Sequence, residues 1–122
     1  MIYENWGKYD GIHVGELGPL RFANNAAFLA LLSAKNLEDD PTEKQNRIKW
    51  AQSQVWYTIG DNPSKFSYLI GYGNNYPRKP LHSGSICPEW SEACGCPWFY
   101  NPENNPIELF GAVVAGPDFH DS

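Results

Sequence analysis

The chain has 122 residues, 42% of them hydrophobic, which is enough for the core of one folded domain and argues against disorder. Its 14 acidic and 9 basic residues give a net charge of -5, so we expect no nucleic-acid partner, because a phosphate-binding surface needs clustered Lys and Arg. Its apolar runs fall short of the ~18 residues of a membrane span, and the N-terminus lacks the basic-then-apolar order of a signal peptide. The sequence is therefore typical of a soluble protein with no membrane partner.

The first predicted element is a helix from Leu20 to Ala34. The residues before Pro19 contain four glycines that break every short run, whereas Pro19 itself suits a first helical position. Apolar residues lie all around the circumference of this helix, which is typical of a helix buried on several sides. Since the rest of the chain has too few helices to surround it, we expect the chain to be part of a larger domain.

A second helix is predicted from Pro41 to about Ile59. Asp40 stands at the N-cap, Pro41 in the first turn, and Glu43 at the acidic position of a capping box. Gly60 is placed to end the helix with a left-handed cap. Two helices joined by a short acidic loop predict an antiparallel hairpin, which is the repeating unit of α/α architectures.

The stretch from Tyr57 to His82 is the longest segment outside these helices. It turns at residues 61–63, carries an aromatic and apolar run over residues 66–72, and opens into a loop rich in Gly, Asn and Pro. Loops of this length usually carry function unless they are disordered. A third helix is predicted from Pro106 to Ala115, with Asn105 capping its start.

Five segments of the chain resemble, in the same order, the C-terminal third of glycoside hydrolase family 9, the inverting endo-β-1,4-glucanases. They are residues 20–28, 59–63, 67–75, 77–80 and 111–118. The resemblance covers about residues 15–121, and the segment from Cys87 to Cys94 looks like the animal branch of the family. Five motifs in order form a far stronger signal than any one of them.

The resemblance implies an all-α fold, a barrel of six α-helical hairpins with a long open cleft for a cellulose chain. Residues 1–122 would then be one partial domain, a partial (α/α)6 barrel with long loops that lacks the first helices of the family and its last helix. The partner implied is a β-1,4-glucan, the location implied is outside the cell, and the expectation is that no cofactor or metal takes part.

Inverting hydrolysis needs a carboxylate base that activates water and a carboxylic acid that protonates the leaving oxygen, ~6.5–9.5 Å apart. In the family the base Asp lies in an N-terminal motif, and the acid Glu lies just beyond the segment that corresponds to Gly116-Pro117-Asp118. Neither position falls within residues 1–122. Asp61, Asp118 and Asp121 are local acids, but turn and capping roles are favoured for them. The chain alone is therefore expected to be inactive.

Family members also carry a Pro-His-His-Arg motif after the loop that corresponds to Gly71-Tyr72-Gly73. The first His and the Arg of this motif bind the sugar near the scissile bond. Aligned without gaps, Pro80 matches, Leu81 replaces the first His, His82 matches the second, and Ser83 replaces the Arg. Leu cannot donate a hydrogen bond to a sugar hydroxyl, and Ser lacks the forked charge of Arg. A shift of one residue would put His82 in the binding role, and for His82 a sugar contact and an ordinary loop hydrogen bond are equal alternatives.

We assign His82 to the catalytic site on this resemblance. The substrate-binding residues expected in the same loop are Tyr72, Asn75, Tyr76 and Arg78. A second group of aromatic residues lies later in the chain, beside prolines. A sugar subsite and packing of their own loop are the alternatives for this group, and packing is favoured. The group consists of Trp90, Trp98, Phe99 and Tyr100.

Three cysteines fall at positions 87, 94 and 96. Structural zinc prefers Cys pairs two to four residues apart and four ligands, so this spacing is a poor match to a metal site even with His82 nearby. A disulfide between Cys87 and Cys94 is favoured, in keeping with secreted members of the family, and would leave Cys96 free. His13 and His120 have no evident partners and are expected at the surface.

Overall fold

The computed structural model describes residues 18–87 and 100–117, and a helical hairpin is its main feature. Helix α1 spans Pro19–Lys35, helix α2 spans Pro41–Thr58, and a short helix α3 spans Ser83–Ile86. Apart from these helices, the ordered backbone pairing in this part of the chain includes one isolated antiparallel bridge. The prediction of an all-α fold is confirmed.

Both long helices begin where the local sequence predicted. Pro19 is the first residue of α1, and the Asp40 carboxylate accepts a hydrogen bond of 2.9 Å from the Glu43 backbone N–H at the start of α2. The Glu43 side chain does not complete the capping box, because it pairs with Arg47 one turn further on, at 2.8 Å. Local chemistry therefore sets the starts of both helices.

Small residues line the interface between α1 and α2. Ala23, Ala27, Ala30 and Ala34 recur every three or four residues on the buried face of α1, and Ala51 of α2 is fully buried. Alanines at this spacing form one stripe of the helix and let the two backbones approach closely. The hairpin is thus held by close packing of small side chains, with Ala27, Ala30 and Ala51 in one buried cluster.

Polar contacts at both ends of the hairpin fix its antiparallel register. The Arg47 guanidinium donates to the Ser33 hydroxyl at 3.0 Å, and the Thr58 hydroxyl donates to the Asn24 side-chain oxygen at 3.3 Å. Because Ser33 is near the end of α1 and Arg47 near the start of α2, the two helices run in opposite directions.

The opposite face of α1 is apolar and exposed. Phe28 and Leu29 are 64% and 61% exposed, and Leu31 and Leu32 are also open to solvent. Large apolar side chains grouped on one helix face are typical of a surface that packs against further structure. The expectation from the sequence, that the chain offers too few helices to surround α1 and is part of a larger domain, stays a prediction. No helix among residues 18–87 and 100–117 is long and apolar enough to cross a membrane.

The turn after α2 is organised by Asn62, which is fully buried. Its side-chain N–H groups donate to the carbonyl oxygens of Tyr57, at 2.8 Å, and Phe66, at 2.7 Å, and its oxygen accepts from the Phe66 N–H at 3.1 Å. Gly60 has a positive φ of 116°, as expected of the residue that ends α2. The aromatic run then returns along the hairpin, where Tyr68 stacks on Tyr57 with ring centroids 6.1 Å apart.

The predicted helix from Pro106 to Ala115 is wrong. This segment is irregular, and its end pairs with the aromatic run: the Ile70 N–H donates to the Ala112 carbonyl at 2.9 Å, and the Val114 N–H donates to the Tyr68 carbonyl at 3.0 Å. β-Branched residues favour such an extended pairing over a helix. Asn105 does not cap a helix either, because its side chain is engaged elsewhere.

Candidate functional site

The loop from Gly71 to His82 leaves the hairpin directly after the paired segment. Gly71 has a positive φ of 84°, and a side chain there would collide with the Phe110 ring, so glycine is required. The next residue, Tyr72, is 47% exposed. The paired segment therefore delivers the loop to the surface with Tyr72 at its beginning.

Asn75 ties the middle of this loop to the turn after α2. Its backbone oxygen accepts a hydrogen bond of 2.8 Å from the Ser67 N–H, and its side-chain amide donates to the Lys65 carbonyl at 3.3 Å. Asn75 is itself exposed. It thus anchors the loop while part of its side chain faces solvent.

Tyr76, Arg78 and Glu108 form a surface cluster, which we name the Arg78 cluster. The Arg78 guanidinium lies over the Tyr76 ring, 4.3 Å from its centroid, and its Nη1 lies 2.9 Å from Glu108 Oε1. Hydrogen bonding to Glu108, followed by desolvation and the Glu108 charge, raises the pKa of Tyr76 above its ordinary value of 10.0, and the Arg78 charge opposes the rise.

Asn105 holds the far end of the loop. Its side-chain amide donates to the Pro80 carbonyl at 2.7 Å and to the Ser85 hydroxyl at 3.0 Å, while its backbone N–H donates to the Arg78 carbonyl at 3.1 Å. The fully buried Ser85 donates in turn to the Ile107 carbonyl at 2.5 Å. Residues 105–108 therefore act as a strap across residues 76–86.

His82 caps the short helix α3. Its Nδ1 accepts a hydrogen bond of 3.1 Å from the Gly84 N–H, so the neutral ring carries its proton on Nε2. The ring is exposed, and Nε2 is the atom with which it can donate. The structure thus shows the loop hydrogen bond at Nδ1, and a sugar contact through Nε2 stays a prediction.

The two positions that depart from the family motif flank His82 at the surface. Leu81 is 76% exposed, and Ser83 is exposed as well. Leu81 lines a shallow cavity of about 270 Å³ with Lys79, Pro80, Ile86 and Asn105. An apolar side chain therefore stands where a sugar-binding His was expected.

Cys87 is disulfide-bonded. Positions 94 and 96 lie outside the described residues, so the pairing of Cys87 with Cys94 stays a prediction.

Asp61 has the predicted turn position: its N–H donates to the Trp56 carbonyl at 2.8 Å, and its carboxylate lies 3.8 Å from the Lys65 ammonium. Tyr100 is exposed. Also outside the described residues are His13, Trp90, Trp98, Phe99, Asp118, His120 and Asp121.

The arrangement offers hydrogen-bond donors and aromatic surface along one exposed loop. Within residues 18–87 and 100–117, no group of three or more His, Cys, Asp or Glu side chains is placed to hold a metal ion.

The sequence did not indicate the contacts that Glu108 and Asn105 make with this loop. Asn105 was interpreted as a helix cap, and no local signal links Glu108 to Arg78, 30 residues before it.

Solved structures resemble this fold closely. Endoglucanase CelQ from Clostridium thermocellum in complex with cellotriose superposes with a TM-score of 0.80 at 36% identity, covering 96% of this chain and 18% of that one. The endoglucanase of the termite Nasutitermes takasagoensis gives a TM-score of 0.76 at 35% identity, covering 94% of this chain and 26% of that one.

Curated relatives give the same result. Endoglucanase 21 of Arabidopsis thaliana is 37% identical over 98% of this chain and 22% of its own length. Endoglucanase 10 of Oryza sativa subsp. japonica is 39% identical over 88% of this chain and 20% of its own length. The chain thus spans about a fifth of these relatives. The model of glycosyl hydrolase family 9 matches residues 6–122, and the chain belongs to this family.

Proposed function

We propose that this chain forms part of the wall of a β-1,4-glucan-binding cleft, in a secreted endo-β-1,4-glucanase of the inverting type. The observation that carries the proposal is the exposed loop of residues 71–82. Contacts of Asn75, Arg78 and Asn105 hold this loop in place. A likeness to CelQ, whose structures contain cellotriose and cellotetraose, supports a cello-oligosaccharide as the ligand. Residues 1–122 would be the C-terminal third of that enzyme's catalytic domain, without the first helices and the last helix of the family.

Each loop residue has a role that its chemistry allows. Tyr72 offers an exposed ring on which a sugar can stack. Asn75 and Arg78 offer polar groups for sugar hydroxyls, and the Tyr76 ring packs against the Arg78 guanidinium. His82 donates through Nε2, since Nδ1 is engaged in the cap of α3. His82 therefore acts in the catalytic site as a hydrogen-bond donor to substrate.

The isolated chain would not hydrolyse glucan. The acid and the base must flank one bond, and each proton transfer contributes about 10²–10⁴-fold to the rate, which loop aromatics cannot replace. The nearest acid in the loop region, Glu108, is held in an ion pair with Arg78 at 2.9 Å. Binding without turnover is the expected behaviour of residues 1–122.

A second candidate function is a catalytically silent carbohydrate-binding relative of the family. It is favoured by the exposed Leu81 and Ser83, which stand where the family motif has a sugar-binding His and Arg. If flanking sequence supplies both carboxylates, Leu81→His combined with Ser83→Arg should raise turnover on soluble cellulose derivatives. A silent binder would gain affinity from the same pair of changes and show no turnover.

Titration of the purified chain with cellotetraose tests the binding role, and release of reducing sugar tests hydrolysis. Tyr72→Ala should weaken binding about 2- to 13-fold, from a ring contact of roughly 0.5–1.5 kcal/mol. Phe28→Ala removes an exposed ring of α1, far along the chain from the loop, and is the matched control. Equal binding by both variants would contradict the proposed loop. Reducing-sugar release that His82→Ala abolishes would contradict the predicted inactivity.

A further inference from the structure

We propose that Glu108 is a positioning residue that fixes Tyr76 and Arg78 as one unit and neutralises Arg78, so that this part of the cleft wall selects neutral over anionic β-glucans. The inference rests on the proposed function and names the substrate class of the same site. It assigns a role to a residue that lies outside the loop itself.

Two direct contacts define the Arg78 cluster. The Glu108 carboxylate pairs with the Arg78 guanidinium at 2.9 Å, and the guanidinium covers the Tyr76 ring, 4.3 Å from its centroid. The Arg78 backbone is held as well, because its carbonyl accepts from the Asn105 N–H at 3.1 Å. Arg78 therefore contacts both Glu108 and Tyr76, and Glu108 holds the guanidinium in place over the ring.

Arg78 keeps hydrogen-bonding capacity in this arrangement. A guanidinium has five N–H donors, and the ion pair engages Nη1. The Arg78 side chain remains 48% exposed, so further donors are accessible to sugar hydroxyls. A neutral glucan can thus bind without displacing Glu108.

An anionic glucan meets a different situation. An unpaired Arg at a cleft wall would attract the carboxylates of uronic acid or carboxymethyl groups, because the guanidinium fork matches a carboxylate. Here the Glu108 carboxylate already pairs with the Arg78 guanidinium, and its negative charge repels the carboxylate of an anionic glucan. Selectivity arises from this repulsive element as much as from the attractive contacts to neutral sugars.

The effect is expected to be modest, because the ion pair is partly exposed. Its side chains are 48% and 31% exposed, and such pairs change an equilibrium by roughly two- to fivefold. Glu108→Gln should therefore raise the ratio of affinities for carboxymethylcellulose over neutral hydroxyethylcellulose by about two- to fivefold. The increase should shrink at high salt.

Glu103→Gln is the matched control, since it removes the same charge from the same segment, and Glu103 is exposed. Affinity electrophoresis of the 122-residue chain in gels containing either polymer gives both affinities. An equal ratio in Glu108→Gln and Glu103→Gln would overturn the inference while leaving the proposed function intact. Failure of the unaltered chain to bind hydroxyethylcellulose would overturn the proposed function, and the inference with it.

Arg78→Gln is a second variant that keeps the test decisive if Glu108→Gln fails to fold. It leaves the Glu108 carboxylate unpaired and should shift the preference toward the neutral polymer by a similar factor. No shift, or a shift toward carboxymethylcellulose, would overturn the inference.

The pKa of Tyr76 reports on the cluster without any sugar. NMR of the chain labelled at tyrosine Cζ, with Tyr76 assigned by Tyr76→Phe, follows this titration. Since the Glu108 hydrogen bond is the largest cause of the raised pKa, Glu108→Gln should lower it, and Arg78→Gln should raise it further. An unchanged pKa in both variants would show that the cluster does not form in solution.

Discussion

His82 combines two hydrogen-bonding roles that different substitutions can separate. Its Nδ1 accepts from the Gly84 N–H at 3.1 Å, and its Nε2 is proposed to donate to the glucan. Asn places an amide oxygen at about the position of Nδ1 and is a good N-cap, but it does not reach as far as Nε2. Gln reaches further and carries a donor, but it is not a favoured N-cap.

The two variants should therefore have opposite phenotypes. His82→Gln should destabilise the protein by about 0.5–1 kcal/mol, at the low end for a lost cap because α3 has only 4 residues. Its affinity for cellotetraose should stay within about twofold of the original. His82→Asn should keep the stability and lose one neutral hydrogen bond of ~0.5–1.5 kcal/mol, which weakens binding about 2- to 13-fold.

Urea denaturation followed by circular dichroism measures the first quantity, and calorimetric titration with cellotetraose measures the second. His82→Ala removes both groups and should show both losses. Unchanged sugar affinity in His82→Asn, together with destabilisation in His82→Gln, would refute the proposed sugar contact and leave only the cap.

Three further outcomes are expected. Asn62→Ala should lower the free energy of unfolding by about 2–4 kcal/mol, because it leaves buried backbone groups without partners; a melt unchanged from the original would contradict this. The 122-residue chain should self-associate through the exposed face of α1, and Phe28→Ser with Leu29→Ser should reduce association in sedimentation; a monomeric, sharply cooperative melt of the unaltered chain would argue against it. Mass mapping under non-reducing conditions should find Cys87 bridged to Cys94, and a Cys87 peptide bridged elsewhere would exclude that pairing.

The helical hairpin was predictable because its determinants are local. Pro19 and Asp40 lie within one turn of the helix starts that they set, so the sequence alone indicates both boundaries. The segment from Pro106 to Ala115 was misread because its structure depends on a partner about 45 residues away. Backbone pairing with residues 68–70 outweighs its helical pattern, and periodicity within the segment carries no trace of that partner.

The candidate site was predictable in part for the same reason. The loop of residues 71–82 is recognisable from its Gly, Asn and Pro content, whereas helix α3 and its cap by His82 were not predicted. The ion pair of Arg78 with Glu108 and the hydrogen bonds of Asn105 join residues 20 to 30 positions apart, and nothing in the sequence near Arg78 indicates Glu108. Likewise, the role of Asn105 depends on Pro80 and Ser85, which only the folded chain brings together.

Asparagine side chains explain how this loop region keeps a defined shape without regular secondary structure. Asn62, Asn75 and Asn105 each donate to a backbone carbonyl at least four residues away, and Asn105 reaches across 25 residues. A primary amide is suited to this task because it has two donors and one acceptor on a short, stiff side chain. Each of these amides takes over hydrogen bonds that a helix or a sheet would otherwise supply. Because the backbone is fixed in this way, Tyr72, Arg78 and His82 keep exposed positions at the surface, where we propose that they contact a ligand.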